Sequence, residues 1–219
     1  MKIRGAIFDM DGGLFDTEKI YQLIWQKIAA EHHIELDSSF PAAISGTNGA
    51  QMRRVVEDYY QVSDGTGIIE ECMEKVKEEL SRHVPMKEGV PEILHFFQEK
   101  EIPIAVASSS SIQQIESNLE KTGIRRYFTE IVSGTQVAHG KPAPDIFLYA
   151  AKQIERDPKE CLVFEDSKNG VRAGYAAGCM TIMVPDIIEP DPEIMPCCFK
   201  ICTNLKEAQK ELASKEYNL

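Results

Sequence analysis

The sequence predicts an α/β fold, with a parallel β-sheet core and a helical segment inserted after the first strand. Short apolar runs without polar alternation suit strands that are buried on both faces, as in sheets covered by helices. Amphipathic stretches separate these runs, which is the pattern of βαβ units. Between the first apolar run and residue 101 the chain shows helical periodicity alone. This gap indicates where the insertion lies.

Size and composition agree with this fold. The 219 residues suffice for a core domain that carries a smaller inserted domain. Hydrophobic residues make up 43% and charged residues 27%, which excludes a mostly disordered chain. No apolar stretch approaches the roughly 20 residues that span a bilayer, and the first strand directly follows Met1-Lys2. We therefore expect a cytoplasmic protein with no membrane association. We separately expect a monomer.

Net charge and cysteine spacing limit the kinds of ligand and metal site that we expect. The formal net charge of -11 argues against a nucleic-acid partner, because a phosphate backbone attracts clustered Lys and Arg. A phosphate site must then be a local positive patch of cations, metal ion and backbone N–H groups. The six cysteines form no CxxC pair and are expected to be free thiols. Cys197, Cys198 and Cys202 could instead hold a metal, although no fourth ligand follows at zinc-like spacing.

The first strand and the insertion come first along the chain. Apolar residues recur at helical spacing after the strand, and glycine-containing breaks separate the helices. The predicted elements are a strand at residues 4–8 and helices at residues 18–31, 52–60 and 68–80, within a block of about four helices. The predicted helical domain is 17–84, and the predicted core domain is 1–16 with 85–219.

Strands and helices alternate after the insertion. Gly123 and Gly178 follow two of the helices, as residues that often end helices do. The predicted strands are 102–107, 128–132, 161–164 and 180–184, and the predicted helices are 89–100, 112–122, 145–154, 170–177 and 204–213. This alternation implies a parallel sheet with right-handed crossovers.

Two carboxylates end the first strand. Asp9 and Asp11 flank Met10, so an extended backbone directs both acids toward one side, and Gly12 and Gly13 let the chain turn. Ligands of open α/β sheets bind beyond the carboxyl ends of the strands. The pair therefore suits a nucleophile beside an acid/base. The alternative is a simple polar turn, since Asp and Gly are common in turns.

Serines end the second core strand. The run Ser108–Ser111 precedes a helix, where a hydroxyl and free N–H groups can hold phosphate oxygens. We predict Ser108 and Ser109 as the phosphate contacts. The alternative is that these serines only cap the helix.

Two further clusters follow later strands. Pro142 and Pro144 stiffen the chain beside Lys141, which makes this lysine a candidate for charge neutralisation rather than an ordinary solvated side chain. Glu165 and Asp166 end an apolar strand and suit Mg²⁺, which prefers carboxylates, water and substrate phosphate. Asp166 or the following serine could alternatively cap the next helix.

In this order, each after a strand, the four clusters resemble the motifs of the haloacid dehalogenase superfamily. The resemblance covers essentially the whole chain. The inserted helices are similar to the helical cap of members that resemble β-phosphoglucomutase. The resemblance implies a Rossmann-like core with a cap that closes over the site.

The resemblance also implies the roles of the residues. Asp9 would attack phosphorus and become an aspartyl phosphate, and Asp11 would protonate the leaving oxygen and then activate water. Ser108 and Lys141 would hold the transferring phosphoryl group. The implied Mg²⁺ ligands are Asp9, the backbone carbonyl of Asp11, and Asp166, with Glu165 as a direct or outer ligand. The implied function is an Mg²⁺-dependent phosphatase of a small phosphorylated metabolite, with sugar phosphates as one class. Asp11 argues against dehalogenation, because family dehalogenases lack this acid.

Departures from the pattern weigh against a phosphomutase, the second hypothesis. Tyr21 stands where mutase-like members carry His, and Thr47-Asn48 replaces an Arg expected just after Gly46. Glu18, Tyr21 and Asn48 are predicted to contact the leaving group. Gly13 replaces a Thr or Val, which predicts a looser turn. A non-catalytic phosphate-binding regulator is the third hypothesis, and the complete set of acids with Lys141 argues against it.

Overall fold

The computed structural model describes residues 2–45, 47, 49–186, 189–214 and 217. The chain divides into two compact units, Met1–Phe15 with Pro85–Leu219 and Asp16–Val84. We call them the sheet unit and the helical unit. Asp16, which the sequence-based boundary assigned to the core, belongs to the helical unit.

The described residues form six strands and nine α-helices. The strands are β1 (Gly5–Phe8), β2 (Ile104–Ser108), β3 (Glu130–Ser133), β4 (Cys161–Glu165), β5 (Met180–Met183) and β6 (Lys200–Ile201). The helices are α1 (Thr17–Glu31), α2 (Phe40–Ile44), α3 (Gly49–Tyr60), α4 (Thr66–Arg82), α5 (Val90–Glu99), α6 (Ile112–Lys121), α7 (Asp145–Gln153), α8 (Lys168–Ala176) and α9 (Leu205–Ser214). Short 3₁₀ helices lie at Arg125–Tyr127, Gly134–Gln136, Pro158–Glu160 and Met195–Cys197.

All six strands pair in parallel in one sheet, in the order β3-β2-β1-β4-β5-β6. The chain adds β2 and β3 on one side of β1 and then returns to add β4 on the other. The strand order therefore reverses at β1, and such a switch point leaves a crevice at the carboxyl ends of the strands.

Helices cover both faces of the sheet. Phe8 of β1 stacks on Phe164 of β4, with ring centroids 4.4 Å apart, and meets Phe97 of α5 edge-on at 6.1 Å. The next residue back, Ile7, faces the other side, where it shares a buried cluster with Phe147 of α7. The layers are those of a Rossmann-like α/β fold, which confirms the predicted fold class.

The helical unit has a core of its own. Trp25 of α1 packs edge-on against Phe40 of α2 and Tyr60 of α3, and the Tyr60 hydroxyl donates a 2.7 Å hydrogen bond to the carbonyl of Trp25. One face of α4 is buried, and it carries residues that recur at helical spacing: Ile68, Cys72, Val76 and Leu80. Among the described residues, no helix combines the length and apolar character needed to cross a membrane.

Most predicted elements are present with ends that differ by a few residues. The predicted strand at 102–107 begins at Ile104, because Pro103 has no N–H to pair and Glu101 has a left-handed backbone with φ of 55°. The sequence did not predict β6, since two residues are too short to show a periodicity.

Candidate active site

The candidate site lies at the carboxyl ends of three neighbouring strands of the sheet unit. Phe8, the last residue of β1, pairs with Val106 of β2 and with Phe164 of β4. The N–H of Asp9 donates a 3.0 Å hydrogen bond to the carbonyl of Phe164. This register sets Asp9 beside Glu165 at the edge where the strand order reverses.

Lys141 joins two of the acids. Its Nζ forms an ion pair with Oδ1 of Asp9 and a 2.6 Å ion pair with Oε1 of Glu165. The side chain is only 10% exposed, and Nζ lies 5.1 Å from the ring centroid of Phe147 in α7. A cation this close to an aromatic ring gains further stabilisation. Lys141 is therefore a largely buried, fixed positive charge.

Asp166 completes an acidic group. Ligand oxygens of Asp9, Glu165 and Asp166 lie within 4.8 Å of one another. The turn after β1 passes directly against Asp166, because a Cβ on Gly12 would lie 2.1 Å from Oδ2 of Asp166. Gly12 also has a left-handed backbone, with φ of +84°. Two separate constraints therefore require glycine at this position.

Glu165 is buried and held by many donors. Its Oε2 accepts hydrogen bonds from the N–H of Asp166 at 3.0 Å, the N–H of Ser167 at 3.1 Å and the Ser167 hydroxyl at 3.0 Å. Gly170 leaves the room for this carboxylate, since a Cβ there would lie 1.8 Å from Oε1. Ser167 also accepts a hydrogen bond from the N–H of Gly170 and caps α8. The capping alternative is therefore correct for Ser167.

Ser110 is the site residue that the sequence prediction missed. Its hydroxyl donates a 2.8 Å hydrogen bond to Oδ2 of Asp11, whereas the Ser108 hydroxyl lies 3.4 Å from the same oxygen. Ser108 Oγ accepts a hydrogen bond from the N–H of Ser110, and Ser109 is exposed. Ser111 caps α6, accepting a hydrogen bond from the N–H of Gln114. No sequence signal singles out Ser110, because the four consecutive serines carry the same hydroxyl and the chain bends at residues 109 and 110, after β2 has ended at Ser108.

The turn after Asp11 is tightly hydrogen bonded. The carbonyl of Met10 accepts from the N–H groups of Leu14 and Phe15, both at 3.0 Å, and the N–H of Gly12 donates to the carbonyl of Phe15 at 2.9 Å. The looser turn expected from Gly13 is therefore wrong. Gly13 is buried, and a Cβ there would lie 2.4 Å from the carbonyl oxygen of Asp9.

Burial controls the electrostatics of the cluster. It raises the pKa of Asp9 to about 8, with Lys141 opposing this shift and Glu165 adding to it. Burial and the charges of Glu165 and Asp9 also raise the pKa of Asp166 well above its ordinary range. Burial opposes the charge of Lys141, yet the neighbouring Asp9 and Glu165 carboxylates raise the pKa of this lysine. Lys141 alone therefore supplies too little positive charge to keep all three neighbouring carboxyl groups ionised.

The donor set fits a hard divalent cation. If all three carboxylates ionise, as metal binding requires, one ammonium group leaves two negative charges, which a divalent ion would neutralise. Clustered carboxylate oxygens without soft ligands suit Mg²⁺. Within the part of the chain that the structure describes, this is the one group of three or more acids, histidines or cysteines close enough to share a metal. The described cysteines are free thiols.

The predicted leaving-group contacts belong to the helical unit. Glu18 and Tyr21 are half-buried on α1. Asn48 lies outside the described residues. The predicted acids and Lys141 all belong to the sheet unit. Asp9, Lys141, Glu165 and Asp166 contact or approach one another there, and Asp11 is hydrogen bonded to Ser110.

Comparisons with known proteins agree on one family. Residues 6–184 match the model of the family described as "Haloacid dehalogenase-like hydrolase". The chain is 32% identical to a phosphorylated carbohydrates phosphatase of Thermotoga maritima, over 80% of this chain and 82% of that protein. It is 31% identical to the fructose-1-phosphate phosphatase of Escherichia coli, over 80% and 92% of the two chains.

Solved structures share the fold. The crystal structure of a HAD family hydrolase from Deinococcus radiodurans, with bound phosphate and sodium, superposes with a TM-score of 0.82 at 25% identity and covers 97% of this chain and 96% of that one. A β-phosphoglucomutase of Clostridium difficile superposes with a TM-score of 0.77 at 21% identity, covering 99% of this chain and 97% of that one. At that identity, the second likeness concerns the fold alone.

Proposed function

The chain belongs to the haloacid dehalogenase-like hydrolase family and is a phosphoric monoester hydrolase; from this premise we propose that it is an Mg²⁺-dependent phosphatase of a small phosphorylated metabolite. Sugar phosphates are the class to test first, since the Thermotoga and Escherichia relatives are named for phosphorylated carbohydrate substrates. The observation that carries the proposal is a buried Asp9 held by Lys141 beside Glu165 and Asp166.

Each residue has a role in binding. Asp9, Asp166 and the backbone carbonyl of Asp11 would hold Mg²⁺, which supplies charge neutralisation for the nucleophile and for the phosphoryl oxygens. We assign Glu165 to an outer position, because four donors from Lys141, Asp166 and Ser167 already occupy its carboxylate. Lys141 and Ser108 would contact the phosphoryl oxygens, and Ser109 would offer its backbone N–H.

The first chemical step forms a covalent intermediate. A carboxylate oxygen of Asp9 attacks phosphorus, and the bond between phosphorus and the leaving oxygen breaks. Asp11 gives its proton to that oxygen, so the product leaves as an alcohol. Lys141 neutralises charge on the phosphoryl group during transfer. The enzyme then carries a phosphoryl group on Asp9, and Asp11 is ionised.

The second step returns the enzyme to its starting state. Asp11, now a carboxylate, accepts a proton from a water molecule as the water oxygen attacks phosphorus. The bond between Asp9 and phosphorus breaks, and inorganic phosphate is released. Ser110 supports both steps, because its hydrogen bond fixes the carboxylate of Asp11 that gives and takes the proton.

The helical unit is proposed to act as the cap that selects the substrate. Glu18 and Tyr21 of α1 are the described residues that we assign to the leaving group. A Tyr21→Phe variant should change KM among sugar phosphates more than it changes phosphate release from an aryl phosphate. The cytoplasmic location and monomeric state stay predictions.

One assay separates this proposal from its alternatives. Phosphate release is measured from sugar phosphates, nucleotides and an aryl phosphate, with Mg²⁺ or with a chelator, and hexose 1-phosphate isomerisation is followed in parallel. We expect release that requires Mg²⁺. Isomerisation without release would identify a phosphomutase, and saturable binding without turnover would identify a regulator.

A further inference from the structure

A second, largely buried ion pair lies outside the acidic cluster. Nζ of Lys87 is 2.8 Å from Oδ1 of Asp186, and the two side chains are 14% and 12% exposed. Burying two opposite charges removes both from water, and apolar residues of similar size often stabilise a protein as well or better. A gain in stability is therefore a weak explanation for burying these two charges, and the residues around the pair indicate another role.

Lys87 is attached to the turn that contacts Asp166. Its backbone N–H donates a 2.9 Å hydrogen bond to the carbonyl of Leu14. The same turn contains Gly12, whose backbone leaves no room for a side chain beside the carboxylate of Asp166. The backbone of Lys87 is thus joined to the turn that lies against the proposed metal ligand.

Asp186 follows the neighbouring strand β5. Two residues earlier, the N–H of Val184 donates a 2.7 Å hydrogen bond to the carbonyl of Glu165. Oδ2 of Asp186 is buried and has no hydrogen-bond partner among the described residues. Backbone hydrogen bonds thus connect the two ends of this ion pair to the turn that lies against Asp166 and to the carbonyl of Glu165, so both charges lie at the same edge of the sheet as the acidic cluster. In agreement with this placement, the ammonium group of Lys87 acts against the burial and the neighbouring carboxylates that raise the pKa of Asp166.

We propose that Lys87 and Asp186 are positioning residues that set the charge around Asp166 and thereby the affinity of the site for a divalent cation. This inference rests on the Mg²⁺ site of the proposed function. Lys87 opposes the approach of a cation, and Asp186 offsets most of that opposition while holding the ammonium group in place. Neither residue is itself a ligand. The two charges act in opposite directions, which gives the inference a distinctive signature.

The test is calorimetric titration with MgCl₂ alone, in the absence of substrate. Lys87→Met removes the positive charge and should tighten Mg²⁺ binding by about tenfold. Asp186→Asn leaves the ammonium group uncompensated and should weaken binding by about tenfold. The double variant should return close to the wild-type affinity. Lys2 and Glu160 form an ion pair next to the start of β4, at the end of the strand opposite to Glu165. The control variants Lys2→Met and Glu160→Gln make the same charge changes there and should leave the Mg²⁺ affinity unchanged.

The outcomes are distinguishable. If the wild type binds Mg²⁺ but both single variants shift the affinity in the same direction, or neither shifts it, the inference is overturned and the proposed function stands. If the wild type itself binds no Mg²⁺, the proposed metal site fails and the inference fails with it. Circular dichroism reports folding, and Lys87→Arg and Asp186→Glu keep both charges as matched variants. If Lys87→Met does not fold, the Mg²⁺ affinity of Asp186→Asn decides the question. A folded Asp186→Asn variant with wild-type affinity would contradict the inference.

Discussion

At the scale of single residues, Asp9 is a nucleophile that depends on its neighbours. A carboxylate attacks an anionic phosphate poorly unless positive charge offsets the repulsion. Burial raises the pKa of Asp9 to about 8, and Lys141 is the cation in direct contact with it. One lysine does not balance three clustered acids. The residue-level chemistry therefore calls for a bound cation as well.

Two adjacent serines offer a matched pair of variants. Ser110→Ala removes the hydrogen bond to Asp11 and should lower kcat by about tenfold, the usual effect of losing a hydrogen bond to a charged group. Ser111→Ala removes the cap of α6 and should lower the free energy of unfolding by about 1 kcal/mol without lowering kcat. Steady-state kinetics and thermal unfolding measure both. Equal kcat values in the two variants would contradict the role given to Ser110.

The sequence predicted which acids meet, but not every contact. Asp9 and Asp166 directly follow buried strands and Glu165 ends one, and parallel strands bring their carboxyl ends to one edge, so the meeting of these acids was predictable. Ser110 was missed because residues 108–111 are four identical side chains, which the sequence alone does not distinguish. Only the path of the chain after β2 decides which hydroxyl reaches Asp11.

At the scale of elements, the turn at residues 10–15 links the nucleophile to the metal site. Gly12→Ala should strain a left-handed residue by about 1–2 kcal/mol and also displace Asp166. Gly123→Ala is the matched control, since Gly123 has a φ of +71° with nothing within 4 Å of a Cβ. Both variants should lose stability in thermal unfolding. Only Gly12→Ala should raise the Mg²⁺ concentration needed for half-maximal activity, and an equal rise in Gly123→Ala would count against the contact with Asp166.

The elements themselves were largely predictable because the buried strands are apolar and the helices are amphipathic. β1, β2 and β4 are buried along their whole length, which is why their runs lack polar alternation. Helix and strand ends depend on local hydrogen bonds and shifted by a few residues. The pairing of β6 with β5 depends on tertiary contacts that a two-residue strand does not encode.

At the scale of the whole molecule, the buried acids link stability to pH. The pKa of Asp9 rises from 3.8 when unfolded to about 8 when folded, so the folded chain holds a proton that the unfolded chain releases in that window. The contribution of Asp9 to stability is therefore present below about pH 4 and is lost as the pH rises through about 8. Asp166 acts in the same direction.

Mg²⁺ should reverse this loss, because it binds the ionised carboxylates and displaces their protons. We expect Mg²⁺ to raise the unfolding temperature more at about pH 8 than at about pH 6. In Asp9→Asn the loss of metal-free stability with rising pH should be smaller than in the wild type. A Mg²⁺ effect of equal size at both pH values, or a full pH dependence in Asp9→Asn, would contradict this account.

The central claim is that phosphoryl transfer passes through Asp9, and acid-quenched mass spectrometry tests it most directly. The Asp11→Asn variant is mixed with an aryl phosphate and Mg²⁺, since this leaving group needs no proton but the intermediate then lacks the base that activates water. We predict a phosphoryl group on the peptide that contains Asp9, absent with chelator and absent in Asp9→Asn. Labelling of a different residue, or wild-type rates of phosphate release from Asp9→Asn, would contradict the account.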